Sequence, residues 1–246
     1  HRVFSNYGVI LKGIGKLKEA EVSIRKAIEI NPNYADAHSN LGIVLTDLGK
    51  RKEAEVSIRK AIEINPNYAE AHSNLGMILK ALGKLKEAEI YARKAIQIDP
   101  KIAMAYSNLG IILKDLGELK EAEISTRKAI EIQPNCANSY FNLSYLELLK
   151  GEYKSGLENY EFRLKKENPP LIHGNPIIKR IDSQDLQKGE KLLVISEQGL
   201  GDTLQYMRYI PYIKSQGINV SFCAQTKLHS LIKASGIDQN PLTPEQ

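Results

Sequence analysis

The chain of 246 residues has only two cysteines, Cys136 and Cys223, and they fall in stretches of different sequence grammar. That excludes a disulfide framework and fits a reducing, cytoplasmic setting. Nowhere does an apolar run approach the ~18 residues of a membrane span. A decided charge is also missing. Thirty-four Lys and Arg stand against 29 Asp and Glu, interspersed along the chain. The excess is too slight to point to nucleic acid or an anionic membrane surface. No set of metal ligands is evident: His38 and His72 lie 34 residues apart in one register, as copies of a packing residue would. Nothing implies a cofactor. With 42% apolar and 26% charged residues, what remains has the composition of a soluble, globular protein.

The chain is rich in copies of itself. NLG recurs at 40–42, 74–76 and 108–110; KEAE at 18–21, 52–55, 86–89 and 120–123; RKAI at 25–28, 59–62, 93–96 and 127–130. Pro32, Pro66, Pro100 and Pro134 close successive units, and Gly15, Gly49, Gly83, Gly117 and Gly151 mark a turn inside each. The period divides an array at 1–164 into repeats 1–34, 35–68, 69–102, 103–136 and a degenerate 137–170. In the second unit Ala35, His38, Leu41, Gly42 and Leu45 fall at helical spacing, Leu48-Gly49 turns the chain, and Ala54, Ile58, Ala61 and Ile62 form the stripe of a partner helix. Gly42 and Ala54 are small enough for the two backbones to approach, and Ala61 lets the next pair stack. One pair cannot bury its own stripe, so stability is expected from the stack. In the fifth unit Ser144 replaces the close-packing glycine, Gly156 the alanine, and Glu147 a leucine.

Period, proline and the Leu-Gly…Ala…Pro order resemble the tetratricopeptide repeat (TPR). The family's usual Trp is replaced by Phe4, His38, His72, Tyr106 and Tyr140, and its Tyr by Leu11, Leu45, Leu79 and Leu113. The resemblance implies an all-α solenoid whose first helices line a concave groove that takes a protein or extended peptide.

Asn6, Asn40, Asn74, Asn108 and Asn142 hold one register on these first helices, with Ser5, Ser39, Ser73 and Ser107 beside four of them. Asn is a poor mid-helix residue, because its amide competes for the backbone. A carboxamide offers a donor and an acceptor and can pair with a peptide unit of a bound chain. Alternatively each Asn bonds a neighbouring helix, or simply accompanies copied repeats. ADAHSNL (35–41) and AEAHSNL (69–75) resemble the repeats of O-linked N-acetylglucosamine transferase, and that resemblance implies a peptide-holding ladder at these five asparagines.

From Lys165 the period fails. Asn168, Pro169, Pro170, Gly174 and Pro176 mark a linker over 165–190, and 191–246 changes grammar. Strands are expected at 191–196 and 218–224, with helices at 202–216, divided or kinked by Pro211, and at 226–234: the opening of a parallel α/β sheet. The loop SEQGLGD is neither a dinucleotide fingerprint, since Leu204 holds the third glycine position, nor a P-loop. EQGLGDTLQYMRYIPYIKSQG, with YEFR at 160–163 ahead of it, resembles TPR proteins fused to heptosyltransferase-type glycosyltransferases of two Rossmann-like (GT-B) domains. The resemblance implies a partial Rossmann-like segment, Asp202 as the base on an acceptor hydroxyl, and Gln198, Gly199 and Gly201 as a sugar or phosphate loop. It also implies a nucleotide sugar bound by a longer, full-length inverting transferase. The competing reading gives Asp202 a helix N-cap role, with Gln205 completing a capping-box-like pattern. His1 lies inside a repeat and the tail from Asn240 completes no sheet, so the expectation is a fragment that does not transfer sugar by itself.

Overall fold

Glycine decides where each first helix ends. Gly15, Gly49, Gly83, Gly117 and Gly151 have φ of 78°, 77°, 78°, 83° and 82°, a left-handed conformation that side chains resist. The chain then closes on itself: the Gly49 N–H donates to the Thr46 carbonyl at 2.9 Å and the Lys50 N–H to the Leu45 carbonyl at 2.8 Å. The structure is a computed structural model that describes residues 1–166, 186–197 and 199–243. In it each unit is a helical hairpin. The pairs are α1 (Arg2–Gly13) with α2 (Leu17–Ile30), α3 (Ala35–Asp47) with α4 (Arg51–Ile64), and α5 (Ala69–Ala81) with α6 (Leu85–Ile98). They continue with α7 (Ala103–Asp115) and α8 (Leu119–Ile132), then α9 (Ala137–Leu149) and α10 (Tyr153–Tyr160). A 3-10 turn at Glu161–Lys165 follows.

The junctions between units are also built from the sequence. The side chains of Asn31, Asn65 and Asp99 accept the N–H of Asn33, Asn67 and Lys101 at 3.1, 3.2 and 2.9 Å, carrying the chain past each proline. His38 and His72 then donate from Nε2 to the carbonyls of Pro32 and Pro66, both at 2.9 Å. The histidines hold the junction loops in place, and no metal-ligating group of three is found among the described residues.

Within a hairpin the helices meet at glycine. A Cβ on Gly76 would lie 3.1 Å from the Ala88 carbonyl oxygen, and one on Gly42 would run into Ile58. In the last hairpin the small residue has changed sides. Ser144 occupies the glycine register and bonds its own turn at the Phe141 carbonyl (2.7 Å), while a Cβ on Gly156 of α10 would lie 3.2 Å from the Leu148 nitrogen. Ile24, Leu45, Ile58, Leu75, Leu79, Ile112, Leu113 and Leu146 are fully buried, and most of the apolar core forms one cluster running from Leu11 to Leu146. No hairpin has a core of its own, which is the energetic meaning of a solenoid.

The chain divides into two compact units, His1–Lys166 and Glu167–Gln246. The second holds β1 (Lys191–Ile195), α11 (Leu200–Met207), α12 (Tyr209–Ser215), β2 (Asn219–Cys223), a 3-10 turn at Thr226–Leu228 and α13 (His229–Ala234). β1 and β2 are parallel, with Lys191 opposite Asn219 and Ile195 opposite Cys223. Ile210, Phe222, Ala224, Leu228 and Ile232 form a small core beside them. The helix expected over 202–216 starts two residues earlier and is broken after Met207. Pro211 has no N–H to return to the Met207 carbonyl, so α11 ends there. Among the described residues two short strands make a β-α-β unit, short of the Rossmann-like segment that the sequence resemblance implied. Most of the linker expected at 165–190 lies outside the described residues.

Candidate functional site

Neighbouring first helices touch one another, α1 with α3, α3 with α5, α5 with α7 and α7 with α9, whereas the second helices make no comparable contact among themselves. The array therefore bends toward its first helices, and they line its inner face. On that face the five asparagines form a row. Asn6 is exposed, and Asn40, Asn74, Asn108 and Asn142 are half-buried.

Three of the amides are aimed by the repeat before them. Asn40 Nδ2 donates to Ser5 Oγ at 3.2 Å, Asn108 to Ser73 at 2.9 Å and Asn142 to Ser107 at 3.1 Å. Those serines are buried. Asn74 departs from the pattern: it makes no such bond to Ser39, near which the Tyr68 side chain lies. Burial, and then the charge of Asp36, push the Tyr68 hydroxyl up to about 12. A carboxamide has two N–H groups and a carbonyl. One N–H bonded to Ser leaves the other N–H and the carbonyl oxygen of Asn40, Asn108 and Asn142 without a protein partner among the described residues. The inter-repeat bond, one of the two sequence readings, thus uses only part of the side chain.

Beside the amides runs a row the sequence reading missed. Three residues after each Asn stand Val9, Ile43, Met77, Ile111 and Tyr145, on the same helix face. Val9 and Tyr145 are 45% and 43% exposed, the middle three half-buried. At the last step Ile111, Asn142 and Tyr145 line one crevice of about 20 Å³ with Lys114. The period-34 alignment contained the signal: five of five residues in that register are apolar. Four residues before the Asn row, Asp36 and Glu70 are exposed and form no ion pair among the described residues. At the other edge Asp47 is paired with Lys12 (3.5 Å), and Asp115 with Lys80 (3.0 Å) and Lys114 (2.7 Å).

The charged strings of the second helices do more than stay solvated. Arg25, Arg59 and Arg93 each bond the Glu four residues back and also reach Glu53, Glu87 and Glu121 of the next repeat. Lys50, Lys84 and Lys150 return to Glu21, Glu55 and Glu123. Hydrogen bonds from Lys50 and then Arg25, acting against burial, hold the Glu21 carboxyl below the usual range. At Glu55 burial pushes up, but Arg59 and Lys84 outweigh it.

In the second unit the loop after β1 leads into α11. Gly199 is the N-cap, and Asp202, at the third helical position, accepts the Gly199 N–H on Oδ2 at 3.2 Å. Asp202 therefore caps from inside the helix rather than from its N-cap. Thr203 beside it donates to Gln225 Oε1 at 2.9 Å. A Cβ on Gly201 would meet nothing within 4 Å, and one on Gly199 only Asp202 Oδ2 at 3.4 Å. Gln198 lies outside the described residues. Cys136 and Cys223 are not joined to one another by a disulfide.

Comparison with known proteins settles the array. A tetratricopeptide repeat model matches residues 33–101 and 68–135, and a TPR repeat model matches 10–49. Residues 10–135, just over half of the chain, belong to the tetratricopeptide repeat family. These TPR units make the chain a carrier of a protein-interaction module. Among solved structures, TTC0263, a thermophilic TPR protein of Thermus thermophilus, is 22% identical with a TM-score of 0.62, the match covering 68% of this chain and 91% of that one. PilW, a type IV pilus biogenesis factor, is 22% identical with a TM-score of 0.61 over 67% and 76%. A solved structure of Pseudomonas aeruginosa pilF is 24% identical with a TM-score of 0.59 over 65% and 73%. At these identities the likeness is one of fold. No curated protein matches the chain. Among the described residues no helix is long and apolar enough to cross a membrane.

Proposed function

We propose that the TPR array binds an extended segment of another polypeptide along its inner face, through the row Asn6, Asn40, Asn74, Asn108 and Asn142. One observation carries this reading. Three of these amides are held by a buried serine of the preceding repeat in a way that spends one N–H and leaves the carbonyl oxygen and a second N–H for a ligand. Such groups can pair with peptide units whatever their side chains, so affinity would come from the backbone of the partner. Selection from a displayed library of random peptides tests it. Enriched peptides should bind the Asn40→Ala, Asn74→Ala, Asn108→Ala variant at least about tenfold more weakly, the equivalent of roughly 1.4 kcal/mol. Unchanged affinity in a variant with an intact helical spectrum would sink the reading.

A sugar-transfer role, for any longer protein that contains this chain, rests on the resemblance carried by residues 197–217. Two features support it: the loop sits at the carboxyl end of β1, where open α/β sheets bind ligands, and the packing of the described residues demands neither Gly199 nor Gly201. The same geometry equally fits a non-catalytic scaffold, because the Asp202 carboxylate already has a capping task. Titrating the full-length protein with UDP- and ADP-linked sugars by calorimetry separates the two. Absence of binding leaves the scaffold; binding, with transfer abolished by Asp202→Asn, would establish the enzyme.

A further inference from the structure

We propose that the partner is a proline-rich segment in the polyproline-II conformation, with an apolar side chain at every third position and basic side chains toward the Asp36 and Glu70 edge. The inference rests on the groove reading above and names the ligand class for it. It starts from the spacing of the rows. Val9, Ile43, Met77, Ile111 and Tyr145 recur once per repeat, and so once per first helix. Packed neighbouring helices lie about 8–10 Å apart.

A β-extended ligand advances about 3.3 Å per residue, so every third residue meets the next helix. Its side chains alternate faces, however, and every other apolar residue of the groove would face backbone. An α-helical ligand would need about six residues for the same step, which rotates its contact face well away. A polyproline-II segment has three residues per turn and advances about 9.3 Å in that turn. It alone returns the same face of the ligand to each successive helix. Its backbone N–H and C=O groups make no internal hydrogen bonds. They are therefore free for the asparagine amides, provided that the residue at each contact is not proline.

Charge fixes the other side chains. Asp36 and Glu70 occupy one register on successive first helices, exposed and with no ion pair among the described residues. The opposite edge is neutralised within the protein, by Lys12 on Asp47 and by Lys80 and Lys114 on Asp115. A ligand bearing Lys or Arg three residues apart would meet both acids.

The probe is a fluorescein-labelled peptide of four Lys-Pro-Val triplets, compared by anisotropy with a peptide of the same composition in shuffled, non-periodic order. The periodic peptide should bind about tenfold more tightly, the equivalent of roughly 1.4 kcal/mol. Met77→Ser and Ile111→Ser, each checked for an unchanged helical spectrum, should erase that advantage. Asp36→Lys with Glu70→Lys should shift preference to Glu-Pro-Val triplets. Equal binding of periodic and shuffled peptides overturns the proposal. If that equal binding is lost in the triple asparagine variant, the groove reading survives it. If neither peptide binds while library peptides do, through the asparagines, the ligand class is wrong. If nothing binds the groove, both readings fall.

Discussion

Asn108 donates one amide hydrogen to the hydroxyl of Ser73, thirty-five residues earlier, at 2.9 Å. The bond crosses the seam between two repeats and sets the attitude of a side chain on the inner face. Ser73→Ala should lower stability by about 1 kcal/mol, the usual worth of a hydrogen bond, and let the Asn108 amide rotate. Peptide affinity should fall several-fold with it. Ser39→Ala is the contrast, since that hydroxyl takes no bond from Asn74; its effect on affinity should be smaller. Thermal melts and anisotropy on the two variants check this.

Glycine to alanine inside a helix ordinarily gains up to ~1 kcal/mol. Gly76→Ala should do the opposite and destabilise by about 1–3 kcal/mol, because the new methyl would press on the Ala88 carbonyl oxygen at 3.1 Å. Gly13→Ala, at the end of α1 with nothing within 4 Å, should be neutral or mildly stabilising. Urea denaturation of both variants reads the difference in sign.

Glu147 is 2% exposed in a register where the four preceding repeats carry buried Leu11, Leu45, Leu79 and Leu113. Arg127 bonds it at 3.1 Å and Asn159 at 2.8 Å. In the other repeats the equivalent arginine reaches a Glu of the next unit; here that position is Ser155, and Arg127 turns to Glu147 instead. Arg127→Ala removes the cation from a buried carboxylate and should lower the melting temperature clearly more than Arg93→Ala. Glu147→Leu restores the repeat's own residue and should leave the melting temperature unchanged or raised.

Glu21, Glu55 and Glu123 have folded-state pKa values below the ordinary 4.5. Hydrogen bonds lower them: Lys50 then Arg25 at Glu21, Arg59 and Lys84 against burial at Glu55, Lys150 then Arg127 at Glu123. A lowered folded value adds stability that is complete above 4.5 and is lost as the pH falls through the folded values. The drop in melting temperature between pH 7 and pH 3 should shrink in the triple Glu→Gln variant. An unchanged drop would show that other groups govern acid unfolding.

The array was legible because each repeat states its own geometry: glycine at the turn, Asx-Pro or Gln-Pro at the junction, alanine where helices touch. The Asn row was legible as a row, yet its serine bonds were not, since a partner thirty-five residues away is set by how repeats stack. That Asn74 alone among Asn40, Asn74, Asn108 and Asn142 lacks the serine bond is a tertiary outcome that no single repeat encodes. Ile43, Met77 and Ile111 were overlooked because isolated apolar residues on an amphipathic helix read as core. In the second unit the strands were expected within one residue at each end, while the break after Met207 followed from Pro211 acting four residues back. The role of Asp202 was displaced by one turn, because the N-cap fell at Gly199, whose backbone supplies the donor that Asp202 accepts.

The two sides of the array are joined by different means. First helices meet by direct packing, while second helices are bridged by Arg and Lys reaching across to Glu of the adjoining unit. The inner side is thus a hinge line of fixed spacing, and the outer side a set of tethers whose tension depends on dissolved salt. High ionic strength would loosen those tethers, while the packing of each second helix on the first helix of the next unit stays. Ionic strength thus acts on the outer side through these tethers and on the groove's edge through the Lys12–Asp47 and Lys80–Asp115 pairs.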